Sequence, residues 1–354
     1  MAGETLQPSL TPFAALTFTP PFGYPAPLLL QTKSLLDSMY IIRGIQHLPP
    51  HLRGAAVVIG NFDGVHLGHQ SLMQSLRQRA TELGNLPTLV ITFAPHPQKL
   101  LNPEQPPERI TNIRGKARWI AEQQIDGMLV IHFNRQLANL SPEEFVQQIL
   151  VDGLGIRAVL VGKNFRFGSC GQGHCSTLAN LGQHHGFHVY CQSLLHDPSE
   201  RTVSSTRIRE LVKQCHFSEV IPLLGRPFEI EGRITHGHKR GHSLGFPTAN
   251  LVLADLLHPP PGVYIVEGQV NQQWLPAVAN LGFNPTFGDN RLRLEVHLLA
   301  QCGNLYRQLL RVRFLKRIRD EITFANSADL QRQISCDVQE AQRFFQEMRA
   351  HHGL

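Results

Sequence analysis

The chain has 354 residues, of which 42% are hydrophobic, 7% aromatic and 17% charged. That length allows two ordinary domains with real cores. No stretch approaches the roughly 20 uninterrupted apolar residues that span a bilayer. The formal charge of +6 suits anionic ligands such as nucleotides, nucleic acid or an acidic membrane surface, without choosing among them.

Residues 1–38 stand apart, rich in Pro, Thr and Leu, with only Glu4, Lys33 and Asp37 charged. They lack the basic start of a signal peptide and the Arg-rich character of a transit peptide. A disordered extension and a wrongly assigned start codon both fit, since Met39 opens the run Tyr40-Ile41-Ile42-Arg43. The apolar run 55–60 predicts a buried strand. Leu72, Met73, Leu76, Ala80 and Leu83 then recur at helical spacing. Further strands are expected at 86–93, 128–133, 158–162 and 187–192, with helices near 112–124, after Ser141 and between the last two strands. Ser141-Pro142-Glu143-Glu144 has the chemistry of a capping box with Pro in the first turn. Strands alternating with helices imply a parallel sheet covered on both faces. After Leu224-Gly225-Arg226-Pro227 the pattern changes to strands at 228–235, 262–270, 274–281, 291–299 and 309–315, which predict a small barrel or sandwich. A helix closes the chain at about 327–349, with Leu330, Ile334, Val338 and Phe345 on one face.

The six cysteines, Cys170, Cys175, Cys191, Cys215, Cys302 and Cys336, include no C-x-x-C pair. A chain of this size does not need disulfide staples, so they read as reduced thiols of a cytoplasmic protein. Cys170, His174 and Cys175 lack the second ligand pair of a zinc site.

Gly60-Asn61-Phe62-Asp63-Gly64-Val65-His66-Leu67-Gly68-His69 falls between the first strand and the first helix. Ligands of parallel α/β sheets bind at the carboxyl ends of strands, and a helix N-terminus offers free N–H groups to phosphate. His66 and His69 can stabilise charge that develops in phosphoryl chemistry. The H-x-G-H tetrad resembles the signature of the HxGH nucleotidyltransferases, which attack the α-phosphate of a nucleotide and release pyrophosphate. Val203-Ser204-Ser205-Thr206-Arg207-Ile208-Arg209 is similar to that superfamily's later I-S-S-T-x-I-R element, whose hydroxyls and Arg209 would meet ATP phosphates. Gly153-Leu154-Gly155-Ile156-Arg157-Ala158 fits a dinucleotide fingerprint but precedes a strand instead of opening a helix, so its context fails.

Thr92-Phe93-Ala94-Pro95-His96-Pro97 and Val161-Gly162-Lys163-Asn164-Phe165-Arg166-Phe167-Gly168 resemble the T-F-D-P-H-P and G-x-D-F-R-F-G blocks of bacterial FAD synthetases. The resemblance implies flavin contacts at Pro95, His96, Asn164, Phe165 and Phe167. It also exposes departures: Ala94 and Asn164 replace Asp, and Gly171 and His174 stand where Arg and Asp are expected.

Gly241-His242-Ser243-Leu244-Gly245-Phe246-Pro247-Thr248-Ala249-Asn250 resembles the G-R-x-L-G-F-P-T-A-N block of riboflavin kinases. That family's other blocks follow in order, at Gly262-Val263-Tyr264, Ala279-Asn280-Leu281-Gly282, Leu294-Glu295-Val296-His297, Leu305-Tyr306 and Ile318-Arg319. Thr248 and Asn250 offer hard oxygens suited to Mg²⁺, and alternation puts them on one face of an extended segment. Glu295 is the candidate general base toward the riboflavin 5′-hydroxyl. The remaining kinase contacts implied are Gly232, His236, Lys239, Gly245, Phe246, Pro247, Tyr264, Asn280 and Arg319.

The resemblance spans residues 39–354 and implies a bifunctional riboflavin kinase/FAD synthetase. Its adenylylating half would be 39–222, an α/β doubly wound parallel-sheet domain, and its kinase half 223–354, a small β-barrel with a C-terminal helix. ATP, riboflavin, FMN and FAD would be its substrates and products, with Mg²⁺ accompanying ATP and no tightly bound redox cofactor. The expected protein is cytoplasmic, a monomer or weak homo-oligomer, with no nucleic-acid or membrane partner. Two rival readings remain at this stage. The departures could leave a kinase with weak or absent synthetase activity. The basic cluster at Arg291, Arg293, Arg307, Arg311, Arg313, Lys316, Arg317 and Arg319 could track nucleic-acid phosphates.

Overall fold

In the computed structural model the described residues are 39–235, 246–253, 255–283, 292–300, 302–303 and 305–351. The N-terminal half is a six-stranded sheet built from β1 (Tyr40–Arg43), β2 (Ala56–Ile59), β3 (Thr88–Ala94), β4 (Gly127–His132), β5 (Ala158–Gly162) and β6 (His188–Gln192). The strand order is β1-β4-β3-β2-β5-β6, with every pairing parallel. Successive strand residues sort into two different cores. Val57, Ile59, Leu89, Ile91, Val159 and Val161 join one, whereas Ala56, Val58, Val90, Ala158 and Leu160 join the other. Since side chains alternate across a strand, both faces of the sheet are covered, as the apolar runs predict.

The helices that cover it are α1 (Leu67–Glu82), α2 (Ile113–Ala121), α3 (Pro142–Phe145) and α4 (Cys175–His185). Ser141 and Glu144 form the reciprocal capping box at the start of α3. The chain then continues as a π-helical stretch, Val146–Leu154, and stops at Gly155 in a left-handed conformation. The G-x-G-x-x-A segment therefore ends a helix and leads into β5. Strand β1 was not expected; it is four residues long at the sheet edge, and Tyr40 and Ile41 are about half exposed. Cys175 of α4 and Cys191 of β6 are paired as a disulfide. This corrects the expectation of six reduced thiols, because β5–β6 packing against α4 brings together two residues 16 positions apart.

The C-terminal half is a closed antiparallel barrel of β7 (Glu229–Thr235), β8 (Ala249–Val252), β9 (Gly262–Val270), β10 (Gln273–Phe283), β11 (Leu292–Leu298) and β12 (Leu309–Arg319). Its order is β10-β11-β8-β7-β12-β9, closing between β9 and β10. Closure removes the sheet edges. Tyr264, Val266, Ala279, Leu281, Leu294, Val296 and Phe314 fill the interior. On the outer wall, Val263, Ile265 and Val278 pack under Ala341 and Phe345 of the C-terminal helix, which spans Ser327–His351.

Two helices join the halves, α5 (Ser205–Lys213) and α6 (Phe217–Leu224). Ile208, Leu211, Val212, Phe217, Val220 and Leu223 share one buried cluster with Phe228, Val266 and Phe314 of the barrel. The two halves are thus continuous through an apolar core.

Candidate active sites

The first site lies at the carboxyl ends of β2, β3 and β5, where the strand order changes direction. After β2 the chain makes a tight loop in which Phe62, Gly64 and Val65 have φ of 47°, 82° and 42°. His66 caps α1; its Nδ1 accepts the backbone N–H of His69 at 3.4 Å. The two imidazoles stack with centroids 3.6 Å apart, and Phe62 meets His69 edge-on at 5.1 Å. Gly68 makes this possible: a Cβ there would lie 3.2 Å from the His66 ring.

Asp63 is buried and organises the loop. Its two carboxylate oxygens accept the backbone N–H groups of Ile110 and Thr111, each at 3.1 Å. Arg209 of α5 pairs with it at 2.6 Å, and the Ser205 hydroxyl donates to the Asp63 carbonyl at 2.8 Å. The two expected nucleotide elements, more than 130 residues apart, therefore meet in one place. Ser204 is occupied as the cap of α5, accepting the Arg207 N–H, while Thr206 is exposed. Gly60 and Asn61 are half-buried at the end of β2. Phe62 is fully buried, a packing residue of the loop.

Burial holds His66 near a pKa of about 4, with Arg226 and Arg209 adding to the depression and Asp63 opposing it. His69 is pushed well below the ordinary imidazole range by burial, His66 and Lys116. Both rings are neutral at pH 7. Lys116, which the sequence reading did not select, is buried in α2 and donates to the Asn61 carbonyl and, at 3.1 Å, to Thr92 Oγ1. Burial lowers its pKa to about 8, partly countered by Asp63. A signal was present: Lys116 lies three residues after Ile113 and four before Ile120, on the apolar face of its helix.

Of the expected flavin contacts, Pro95 is exposed and His96 half-buried beyond β3. His96 feels Asp63, Arg209 and Lys116 electrostatically, so it borders the same site. Asn164 is exposed beyond β5 and Phe165 is half-buried. Phe165 stacks on Phe167 at 5.6 Å. Phe167 itself is 6% exposed and belongs to the core, against Phe145. Its place is packing beneath Phe165. His174 accepts a hydrogen bond from Arg166 through Nδ1, so the Arg166 partner persists as an imidazole where the resemblance expects a carboxylate.

The second site runs across the outer wall of the barrel. The register aligns Thr235, Asn250, Glu295 and Asn280 on four adjacent strands, β7, β8, β11 and β10. Directly opposed residues share a face, and their neighbours Leu251, Leu294 and Leu281 point inward. Asn250 is buried, with Nδ2 3.4 Å from Thr248 Oγ1, and among the described residues its Oδ1 has no hydrogen-bond partner. His297 reaches the Pro247 carbonyl at 2.9 Å and meets Phe246 edge-on, fixing the segment that carries Thr248. Strand β8 was not expected as such, because it is short and begins beside the Pro247 turn.

Three expected kinase contacts have other places. Tyr264 turns into the barrel interior and donates to the Pro260 carbonyl. Arg319 forms a two-pronged pair with Asp337 of the C-terminal helix at 2.7 and 3.0 Å. Gly232 lies inside β7, where a Cβ would come 2.9 Å from Leu251. His236, Lys239 and Gly245 lie outside the described residues. The basic cluster is largely engaged within the chain: Arg311 with Glu229, Lys316 with Glu340, Arg317 with Asp320, and Arg313 over Trp274 at 3.6 Å.

Comparison with known proteins accords with this division. The family model for FAD synthetase matches residues 48–207, and that for riboflavin kinase matches residues 224–345. A bifunctional riboflavin kinase/FMN adenylyltransferase from Pseudomonas fluorescens is 42% identical over 301 residues, covering 85% of this chain and 96% of the relative. The protein of that name from Escherichia coli (strain K12) is 38% identical over 309 residues, covering 87% and 98%. A solved Streptococcus pneumoniae structure, described as a macrolide-efflux protein, aligns with a TM-score of 0.73 and 29% identity over 86% of this chain and 99% of that one. Among the described residues no helix is long and apolar enough to cross a membrane. Both family models and full-length relatives lead to one assignment: the chain belongs to the bifunctional riboflavin kinase/FMN adenylyltransferase family.

Proposed function

We propose that the chain makes FAD from riboflavin in two ATP-dependent steps at separate sites, phosphorylation on the barrel and adenylylation at the parallel sheet. The observation that carries this reading is the coexistence of two constellations in one chain: the Asp63-anchored histidine pair and the Asn250–Glu295 row. We take 39–222 and 223–354 as the functional division, although that boundary falls within α6.

In the kinase step the riboflavin 5′-hydroxyl oxygen attacks the γ-phosphorus of ATP. The bond from that phosphorus to the β-γ bridging oxygen breaks, ADP leaves, and the hydroxyl proton passes to the Glu295 carboxylate. Asn250 Oδ1, buried beside Thr248 Oγ1 and without a hydrogen-bond partner among the described residues, fits a hard divalent cation, which takes oxygen ligands. Mg²⁺ bound there would neutralise phosphate charge. Thr248 and Asn250 would hold it, and His297 would keep their segment in place.

In the adenylylation step an FMN phosphate oxygen attacks the α-phosphorus of a second ATP. The bond from that phosphorus to the α-β bridging oxygen breaks and pyrophosphate leaves. His66 and His69 would donate N–H groups toward the phosphates at the start of α1. Asp63 keeps the loop in shape and neutralises Arg209 until nucleotide arrives. His96, Pro95 and Phe165 border the side where flavin would lie. We further propose a cytoplasmic protein, monomeric or weakly self-associating.

The test is to incubate the pure protein with riboflavin, ATP and Mg²⁺ and follow flavins by chromatography. FMN followed by FAD is expected. FMN without conversion, even when FMN is supplied, would replace this reading by that of a kinase alone.

A further inference from the structure

The loop that carries His66 is held from behind by a residue of the other half. Arg226 lies between α6 and β7, within the riboflavin kinase match, which begins at residue 224. Its guanidinium is buried, with the residue 6% exposed. One nitrogen donates to the Gly64 carbonyl at 2.6 Å, and the other to the carbonyls of Val65 and Leu224 at 3.3 and 3.1 Å. Its plane lies over the Trp119 ring at 3.8 Å. Glu229, three residues further on at the start of β7, is itself pinned by Arg311 and Arg118.

Two of these acceptors, Gly64 and Val65, are the residues that precede His66, in the stretch where Phe62, Gly64 and Val65 all have positive φ. Positive φ at a β-branched residue such as Val65 is unfavourable by itself and persists only where surroundings over-determine it. Two charge-assisted hydrogen bonds from a planar fork are a means of doing so. Lysine carries the charge but cannot present the same fork.

We propose that Arg226, from the barrel side of the junction, is a positioning residue for FMN adenylylation: it clamps the Gly64–Val65 carbonyls and thereby sets the direction of the His66 imidazole. The inference rests on the adenylylating function proposed above. It makes the kinase half part of the adenylylating machinery, while leaving Arg226 outside the kinase row of Asn250 and Glu295.

The experiment measures both reactions on the same full-length R226K and R226Q proteins, with the parent chain alongside. If the parent converts no FMN to FAD, the functional reading itself fails. Given an active parent, R226K is expected to lower kcat for FMN adenylylation tenfold or more, with KM for FMN within twofold and riboflavin phosphorylation within twofold. R226Q should lose more. In R226Q the His66 titration, followed by NMR on labelled histidine, should move upward, because a nearby positive charge has gone. Adenylylation within twofold of the parent in R226K overturns the proposal. So does a parallel fall of both activities, or failure of both variants to fold, since Arg226 would then serve the fold as a whole.

Discussion

The two sites are built on opposite plans. The proposed adenylylating site is a loop between a strand and a helix, and its unusual backbone is kept in place by the buried Asp63, Lys116 and Arg226 and the partly buried Arg209. The kinase site is a row of side chains on neighbouring strands, aligned by barrel register, with Glu295 directly opposite both Asn250 and Asn280. A loop site depends on distant partners that hold it, whereas a strand site is pre-aligned by the same hydrogen bonds that form the sheet. Substitutions away from the reacting atoms should therefore harm adenylylation more than phosphorylation.

The largest effects should come from the reacting groups, and they should cross. Glu295→Gln removes the proposed proton acceptor and is expected to slow riboflavin phosphorylation by about 10²–10⁴-fold, leaving FMN adenylylation within twofold. His69→Ala removes a donor toward phosphate and should slow adenylylation by about 10²–10³-fold while phosphorylation persists. Separate assays starting from riboflavin and from FMN decide this. Loss of both activities in either folded variant would break the division into two sites.

Lys116→Met comes next. The apolar side chain fills similar space, so much of the packing in α2 is kept, but the Asn61 carbonyl loses its charged donor and keeps only the Thr92 hydroxyl, which donates to it at 3.1 Å. A hydrogen bond from a charged group contributes about 1.5–3 kcal/mol. If that loss is felt in the loop geometry, adenylylation should fall by roughly 10- to 100-fold, with the kinase reaction unchanged. Equal rates in parent and variant would show that the loop keeps its geometry without this tie.

Acid should also separate the two plans. His66 titrates near 4 in the folded chain, against 6.5 when free. Its contribution to stability is complete above pH 6.5 and is lost as pH falls toward 4, because the unfolded chain then takes up a proton the folded chain refuses. The depression corresponds to on the order of 3 kcal/mol. Thermal melting between pH 7.5 and 4.5 should show a steeper decline in the parent than in His66→Asn, which keeps a capping side chain. Identical declines would place the acid sensitivity elsewhere.

This contrast also explains what could be read in the sequence. Apolar runs such as 55–60 and 158–162 announce buried parallel strands, and the H-x-G-H and S-S-T elements are contiguous, so both were legible. The pairing of Asp63 with the Ile110 and Thr111 amides was not, because backbone donors leave no residue-type signature. Phe167, Tyr264 and Arg319 fit the expected motifs, yet they pack in cores or pair with Asp337; a motif records which residues occur together, not which way each side chain turns. The Cys175–Cys191 pairing and the Arg226 clamp depend on how elements pack in space, which spacing along the chain does not encode.

The smallest effect should test the outer edge of the junction. Asp255, on the barrel side, pairs with both Lys99 and Arg109 of the sheet side, and the Arg109 amide donates to the Asp255 carbonyl at 3.1 Å. The next two residues, Ile110 and Thr111, are the amides that hold Asp63, so this strap leads from the kinase half to the nucleotide loop. Its ion pairs are partly exposed, with the Asp255 side chain 38% accessible, and pairs of that kind contribute below about 1 kcal/mol. The backbone bond survives in Asp255→Asn, so the strap should stay in place. Melting should fall by only about 1–3 °C, and adenylylation should drop less than threefold, both effects shrinking further in 0.5 M salt as screening removes the pairs from the parent as well. A drop as large as that of Lys116→Met would move the main tie between the halves from the buried Arg226 contacts to this surface strap.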